Sequence, residues 1–232
     1  MSQDKETKEL AVVYQIDGNE IKLTPSIVQQ YIVGSDSKIS LAEFKFFTEL
    51  CKVQKLNPFL KEAYCIKYGN QPAQIVVGKD VFVKRAVAHP MYNGKESGII
   101  VLTDEGEVKE RNGCFFAPED VVIGGWARVF RKDREHPEYM SVSLEEVAGK
   151  KNDGNFNSSW ANKRATMVEK VAKVRALREA FIDEFQGMYV EEEFEPDKPV
   201  SDMVKNGAVE VDGEVIEHVE AEQVNLDELP NN

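Results

Sequence analysis

The longest regular pattern of apolar and polar positions spans residues 160–187. At 100° per residue, Trp160, Met167, Val171, Val174, Phe181, Ile182 and Phe185 share one side, so the pattern predicts an amphipathic helix of about seven turns with that side against a core. The preceding Asn-Ser-Ser offers N-cap side chains, and Gly187 stands where a positive φ would end the helix. Upstream, V-V-Y-Q-I-D-G-N-E-I-K-L predicts a short hairpin with Asp17-Gly18-Asn19 as its turn. Thr24-Pro25 opens a helix over Ile27, Val28, Tyr31 and Ile32, stopped by Gly34. Ser40 and Glu43 form a capping box, and the helix behind it runs to about Leu56, burying Leu41, Phe44, Phe47, Leu50, Cys51 and Leu56. A hairpin follows, A-Y-C-I-K-Y and A-Q-I-V-V about a turn at residues 69–72. A third helix begins at Gly78-Lys79-Asp80 and buries Val81, Phe82, Ala86 and Val87. Residues 97–102 and 107–111 pair about Asp104-Glu105-Gly106. Residues 121–132 make the longest strand, and residues 139–144 pair back to it. Residues 152–159 form a polar loop before the long helix. This order predicts an α+β fold, an antiparallel sheet covered by helices with a long helix near the C-terminal end.

Charge divides the chain in two. Its 232 residues carry a net charge of −12, but residues 191–232 hold 14 of the 41 acids and only 2 of the 29 bases. Residues 1–190 therefore balance at 27 each, and can carry a basic groove despite the acidic total. The division predicts a folded domain over residues 1–190 and an acidic, disordered tail over residues 191–232, with a short partner-binding segment near residues 224–229. Between Trp160 and Arg178 there are six Lys or Arg and one acid, Glu169. Arg178 projects from the middle of the apolar stripe, with Arg164 and Arg175 close to it and Lys163 and Lys170 along one edge. A guanidinium in such a place needs an anionic partner. That partner is either an acid elsewhere in the fold or a polyanion.

Cys51, Cys65 and Cys114 are odd in number and far apart, which points to a reducing compartment rather than to disulfides or zinc. No apolar run approaches 18 residues and the first ten residues are polar, so the expected location is cytoplasmic, with no membrane span. Catalytic chemistry finds no footing. The Gly-Lys pairs at Gly78, Gly94 and Gly149 are followed by Asp80, Glu96 and Lys151, so none is a phosphate-binding loop with its magnesium hydroxyl. His89, His136 and His218 lack partners at ligand spacing. Glu119 and Asp120 sit in a Pro-containing turn and do not form a two-metal cluster. The expectation is no catalytic residue, no metal and no cofactor. Binding chemistry is better represented. Alternation along residues 125–132 puts Trp126, Arg128, Phe130 and Lys132 on one strand face. Aromatic rings between cations suit a single-stranded nucleic acid, with Trp160 as a further stacking candidate. The competing reading is a core strand whose Arg and Lys stems reach outward to water.

Four blocks, in order, carry a family resemblance: L-N-P-F-L-K-E-A-Y (residues 56–64), I-V-V-G-K-D-V-F-V-K-R (75–85), A-R-V-F-R-K-D-R-E-H-P (127–137), and W-x-x-K-R with M-x-x-K and A-L-R-E-A-F ending in G-M-Y (160–189). Together they resemble the Bet/RecT family of phage single-strand annealing proteins, closest to its Red-beta branch, over roughly residues 40–192. The resemblance implies ATP-independent annealing of complementary DNA strands in a bacterial cell, ring or helical homo-oligomers, a Rad52-like core and a 5′-to-3′ exonuclease partner. It implies single-stranded DNA and the annealed duplex as ligands, met by Lys61, Lys132, Lys163, Arg164, Lys170 and Arg178. Arg128 and Arg175 join them from the residue pattern. After Tyr189 the Red-beta branch continues into a helical domain for protein partners, whereas this chain turns acidic. The rival readings are a strand-coating protein that does not anneal and a metal-dependent nuclease.

Overall fold

A computed structural model of the chain describes residues 10–33, 38–67, 72–151 and 153–193. The sequence expectations for Gly34, for most of the turn at residues 69–72 and for the tail from residue 194 onward, including residues 224–229, lie outside these. Strands β1 (Val12–Ile16) and β2 (Asn19–Leu23) pair antiparallel. Asp17 and Gly18 both take positive φ, which is what a two-residue turn matched to the strand twist requires. Thr24 caps a short helix, α1 (Pro25–Ile27), which continues as a π-helical turn over Val28–Ile32. Tyr31, expected inside, is exposed.

Helix α2 (Leu41–Val53) starts with the expected box: the Ser40 amide donates to Glu43 Oε2 at 2.6 Å and the Glu43 amide to Ser40 Oγ at 3.2 Å. The Glu43 carboxylate also accepts from Lys67 Nζ at 2.9 Å and from the Ala73 amide at 2.7 Å. Burial alone would raise its pKa, but these hydrogen bonds outweigh burial and hold it below the usual carboxylate range. Replacing Ser40 with Ala is expected to cost about 1 kcal/mol. Urea titration checks this, and an unchanged midpoint would mean the box contributes nothing. The helix stops three residues short of the sequence expectation, because Lys55 turns into the left-handed region. Leu56 is still fully buried.

Strands β3 (Ala63–Ile66) and β4 (Gln74–Val77) form the second hairpin, and helix α3 (Lys79–Ala88) follows. Val87, expected on its apolar side, is exposed. The main sheet is antiparallel, in the order β6-β5-β7-β8, from β5 (Tyr92–Leu102), β6 (Val108–Asn112), β7 (Val121–Arg131) and β8 (Glu138–Ser143). A single turn, α4 (Leu144–Val147), leads toward the long helix α5 (Ser158–Ala180).

Helix α5 crosses the face of β7 that presents Gly125, Ala127 and Val129. A Cβ on Gly125 would stand 2.5 Å from the Val168 carbonyl oxygen, so glycine is what lets strand and helix backbones meet. Asn157 caps the helix through the Trp160 amide, at 3.1 Å. The expected seven turns are too many. Arg131 Nη1 donates to the Ala180 carbonyl at 2.6 Å and its guanidinium lies over the Phe181 ring, 4.8 Å from the centroid. Phe181 leaves the helix at φ −133° to pack beside His89 and Tyr92. A cation on the last carbonyls, plus a buried ring, ends the helix there. Ile182, expected on the buried stripe, is consequently exposed, and Gly187 takes its positive φ in the following loop. The buried surface of α5 is wider than the stripe suggests, since Val168, Ala172, Ala176, Leu177 and Ala180 are also inside. The core joins them to Phe44, Phe47, Phe82, Phe185 and Met188.

Candidate nucleic-acid interface

Helix α5 divides into two halves that treat their cations differently. In the first half, Lys163 interrupts the helix with φ −135° and ψ 34°. Lys163 and Arg164 are both exposed, and neither has a hydrogen-bond or ion-pair partner among the described residues. They line an open cleft of about 520 Å³ between α5 and the loop joining β6 to β7, opposite Cys114, Phe116, Asp120 and Val121. Asp120 is buried and engaged elsewhere, accepting from Arg111 at 3.4 Å and from the Ala117 amide at 3.4 Å. Burial raises the pKa of the Cys114 thiol, which donates to the Ala165 carbonyl and is an inert wall of the cleft.

In the second half the cations are taken. Arg178 makes a two-pronged pair with Glu193, at 2.8 and 2.5 Å, and its guanidinium lies over the Tyr189 ring, 5.2 Å from the centroid. Lys170 pairs with Glu192 at 2.6 Å. Arg175 lies 3.7 Å from Glu146 and 4.0 Å from Glu193. Lys173 is held by Glu169, a buried carboxylate that also accepts from Ser97 Oγ. The acids at 192 and 193 belong to a single 3-10 turn (Glu191–Glu193) that folds back on the helix. That segment is tied to the second hairpin as well, since the Val77 amide donates to the Tyr189 carbonyl at 2.8 Å. Tyr64 OH reaches Glu191 at 3.5 Å, and burial followed by the nearby Glu191 and Glu192 pushes its pKa up to about 12. Of the two partners open to Arg178 in the sequence, the structure contains the acid within the fold.

The strand-face prediction is met in direction but not in accessibility. Ala127 and Val129 do face α5, and Trp126, Arg128 and Phe130 point the other way. Trp126, however, is only 1% exposed, its indole N–H donating to the Arg111 carbonyl at 3.2 Å. Arg128 lies over that ring, 4.6 Å from the centroid, and pairs with Glu110 at 2.9 Å and Glu96 at 3.8 Å. Trp160 is buried against Gly149, where a Cβ would come within 3.3 Å of the ring. Neither indole offers a free face to a base in this conformation. Phe130 is half-buried. Lys132 is exposed and donates to the Pro90 carbonyl at 3.0 Å, and Lys61 is exposed at a left-handed turn. The structure thus brings Lys163 and Arg164 together at an open cleft, and Lys170, Arg175 and Arg178 together under an acidic turn. Arg128 and Trp126 form a separate closed cluster.

Sequence reasoning passed over Phe115 and Phe116, which lie in the loop between β6 and β7. Two adjacent aromatics inside a Gly-Cys-Phe-Phe-Ala-Pro turn were the available signal, since turn residues ordinarily surround polar side chains.

No helix among the described residues is long and apolar enough to cross a membrane. No curated protein matches the sequence. The family model described as RecT family matches residues 18–205. That span covers the second strand of the first hairpin, the whole main sheet, both halves of α5 and the acidic turn laid on it, and the chain belongs to the RecT family, whose members act in phage-type recombination by annealing single-stranded DNA.

Proposed function

We propose that the protein binds single-stranded DNA without ATP and anneals it to a complementary strand. The observation that carries this reading is a pair of exposed cations, Lys163 and Arg164, without partners among the described residues, on an open cleft of a RecT-family chain. Phosphate oxygens meet the cations, while the bases stay available for pairing. Backbone contacts carry no sequence information, so complementarity comes from the DNA itself. Lys61 and Lys132, both exposed and both outside the cleft, are further phosphate contacts in this reading. Residues 1–190 form the binding and oligomerisation unit, and the acidic stretch from residue 191 begins by packing on its long helix. Adjacent copies in a ring or helical filament prolong the groove, inside a bacterial cytoplasm, on strands exposed by a 5′-to-3′ exonuclease.

Mixing complementary oligonucleotides with the protein, without nucleotide or divalent metal, tests the proposal. Duplex should form faster than in its absence. Affinity for a single strand should fall with salt, with a log–log slope of about −0.7 for each phosphate contacted. Binding without faster pairing would reduce the protein to a strand-coating role. A flat salt dependence would remove the groove altogether.

A further inference from the structure

The loop between β6 and β7 places a pair of phenylalanines where the mechanism above has no part for them. Phe115 is 85% exposed, the most exposed large apolar side chain among the described residues. Phe116, beside it in the chain, lines the cleft together with Lys163 and Arg164. One exposed ring is unremarkable in itself. These two are consecutive, and the loop that carries them is tied to β5 ahead of them and closed into a turn behind them. The Gly113 amide donates to the Ser97 carbonyl at 2.9 Å, Gly113 bridges to Gly98, and the Asp120 amide donates to the Ala117 carbonyl at 3.1 Å. The rings are therefore displayed on a held support, and ordering them for a ligand costs little conformational entropy.

We propose that Phe115 and Phe116 form a stacking seat for the bases of a single-stranded nucleic acid whose phosphates lie on Lys163 and Arg164. This rests on the annealing reading and adds to it the part that touches the bases. An aromatic ring engages the flat face of a base and leaves the pairing edge free. Stacking also accepts every base, since each has a π-face. Both properties suit a surface that must hold a strand of any sequence while a second strand is tested against it. A polyanion without bases would use only the cations.

The test compares the full-length protein with Phe115→Leu, Phe115→Trp and a Phe115→Leu/Phe116→Leu double variant. Leucine keeps apolar bulk at the Phe116 wall of the cleft and removes the ring. Each protein is titrated with an oligo-dT strand and with an abasic strand of the same length, at several salt concentrations. The unaltered protein should prefer dT by at least about fivefold, the lower end of what one stacked base contributes. Phe115→Leu should lose most of that preference and the double variant all of it, with the salt slope unchanged. Phe115→Trp should keep the preference, and its emission should be quenched by dT but not by the abasic strand. The native tryptophans, Trp126 and Trp160, are buried and should not respond. Equal affinity of the unaltered protein for the two strands would overturn the proposal, as would a preference that survives in the double variant. So would loss of self-association in Phe115→Leu with base preference intact, because the rings would then serve a contact between copies. An unaltered protein that binds neither strand would overturn the annealing reading itself, and the seat with it.

Discussion

Replacing Arg178 with Ala is expected to lower the melting temperature by about 6 to 12 °C while leaving the single-strand affinity of the folded protein within about twofold. Arg178 carries the largest share of the contacts that hold the acidic turn on α5. Its guanidinium makes both hydrogen bonds to Glu193, and Glu193 also accepts from the Val190 amide at 3.1 Å. The Glu193 side chain is 8% exposed and that of Arg178 is 22% exposed. Removing the guanidinium strands a carboxylate out of water with one amide donor and a distant Arg175. Breaking a buried pair in this way costs about 3–5 kcal/mol. The partial exposure of Arg178 puts the expected loss near the lower end, about 3 kcal/mol, and about 2–4 °C per kcal/mol for a domain of this size converts it to the shift above. The double variant Arg178→Ala/Glu193→Gln should recover most of the stability, because the stranded charge is then gone. Thermal melting and DNA titration on the same samples decide the matter. An unchanged melt with lost DNA affinity would make Arg178 a phosphate ligand and Glu193 a place-holder that DNA displaces.

The same residue shows what the sequence could and could not say. That Arg178 needed an anion followed from its place in the apolar stripe, and so did the cost of leaving it alone. Which anion was a tertiary fact. Glu193 lies fifteen residues on, past a helix end that no proline or glycine announces. That end is set by Arg131 from a distant strand, through the Ala180 carbonyl and the Phe181 ring. Periodicity reports which residues of an element share a side, and it did so for β7: Trp126, Arg128 and Phe130 lie opposite Ala127 and Val129. It cannot report whether the opposite side is open. There Trp126 is closed over by Arg128 and by a hydrogen bond to the next-but-one strand in the sheet. Turn chemistry and capping were the most legible features, because their causes are local. The Ser40–Glu43 box and the Asp17-Gly18 turn sit where their residues put them. The cleft was illegible because its two walls, the loop at residues 113–121 and the first turns of α5, are brought together only by the sheet between them.

The double variant Lys163→Gln/Arg164→Gln should lose about 25-fold in single-strand affinity at 0.1 M salt and keep its stability within about 0.5 kcal/mol. Both side chains are exposed and unpartnered among the described residues, so folding loses nothing specific when their charges go. Both lie in the second turn of α5, past the first turn where the helix dipole acts, so their removal costs no dipole energy. That placement is itself informative: two adjacent exposed charges that do not stabilise the fold, on an open cleft, are better explained by a ligand. If each cation meets one phosphate, the pair contributes about 1.4 to the salt slope. The affinity ratio between parent and variant then scales as salt to the power of about −1.4. It should be about 25-fold at 0.1 M and should close toward unity near 1 M, which is a shape as well as a size. A charge-matched control, Lys52→Gln/Arg134→Gln, removes two exposed cations away from the cleft, already paired with Glu49 and Glu138. It should leave the slope almost untouched, because those charges are neutralised within the fold. A variant whose slope matches that of the parent would show that phosphates do not sit on Lys163 and Arg164. A control that loses as much as the variant would show that DNA senses only the overall charge, in which case the cleft has no privileged place in binding.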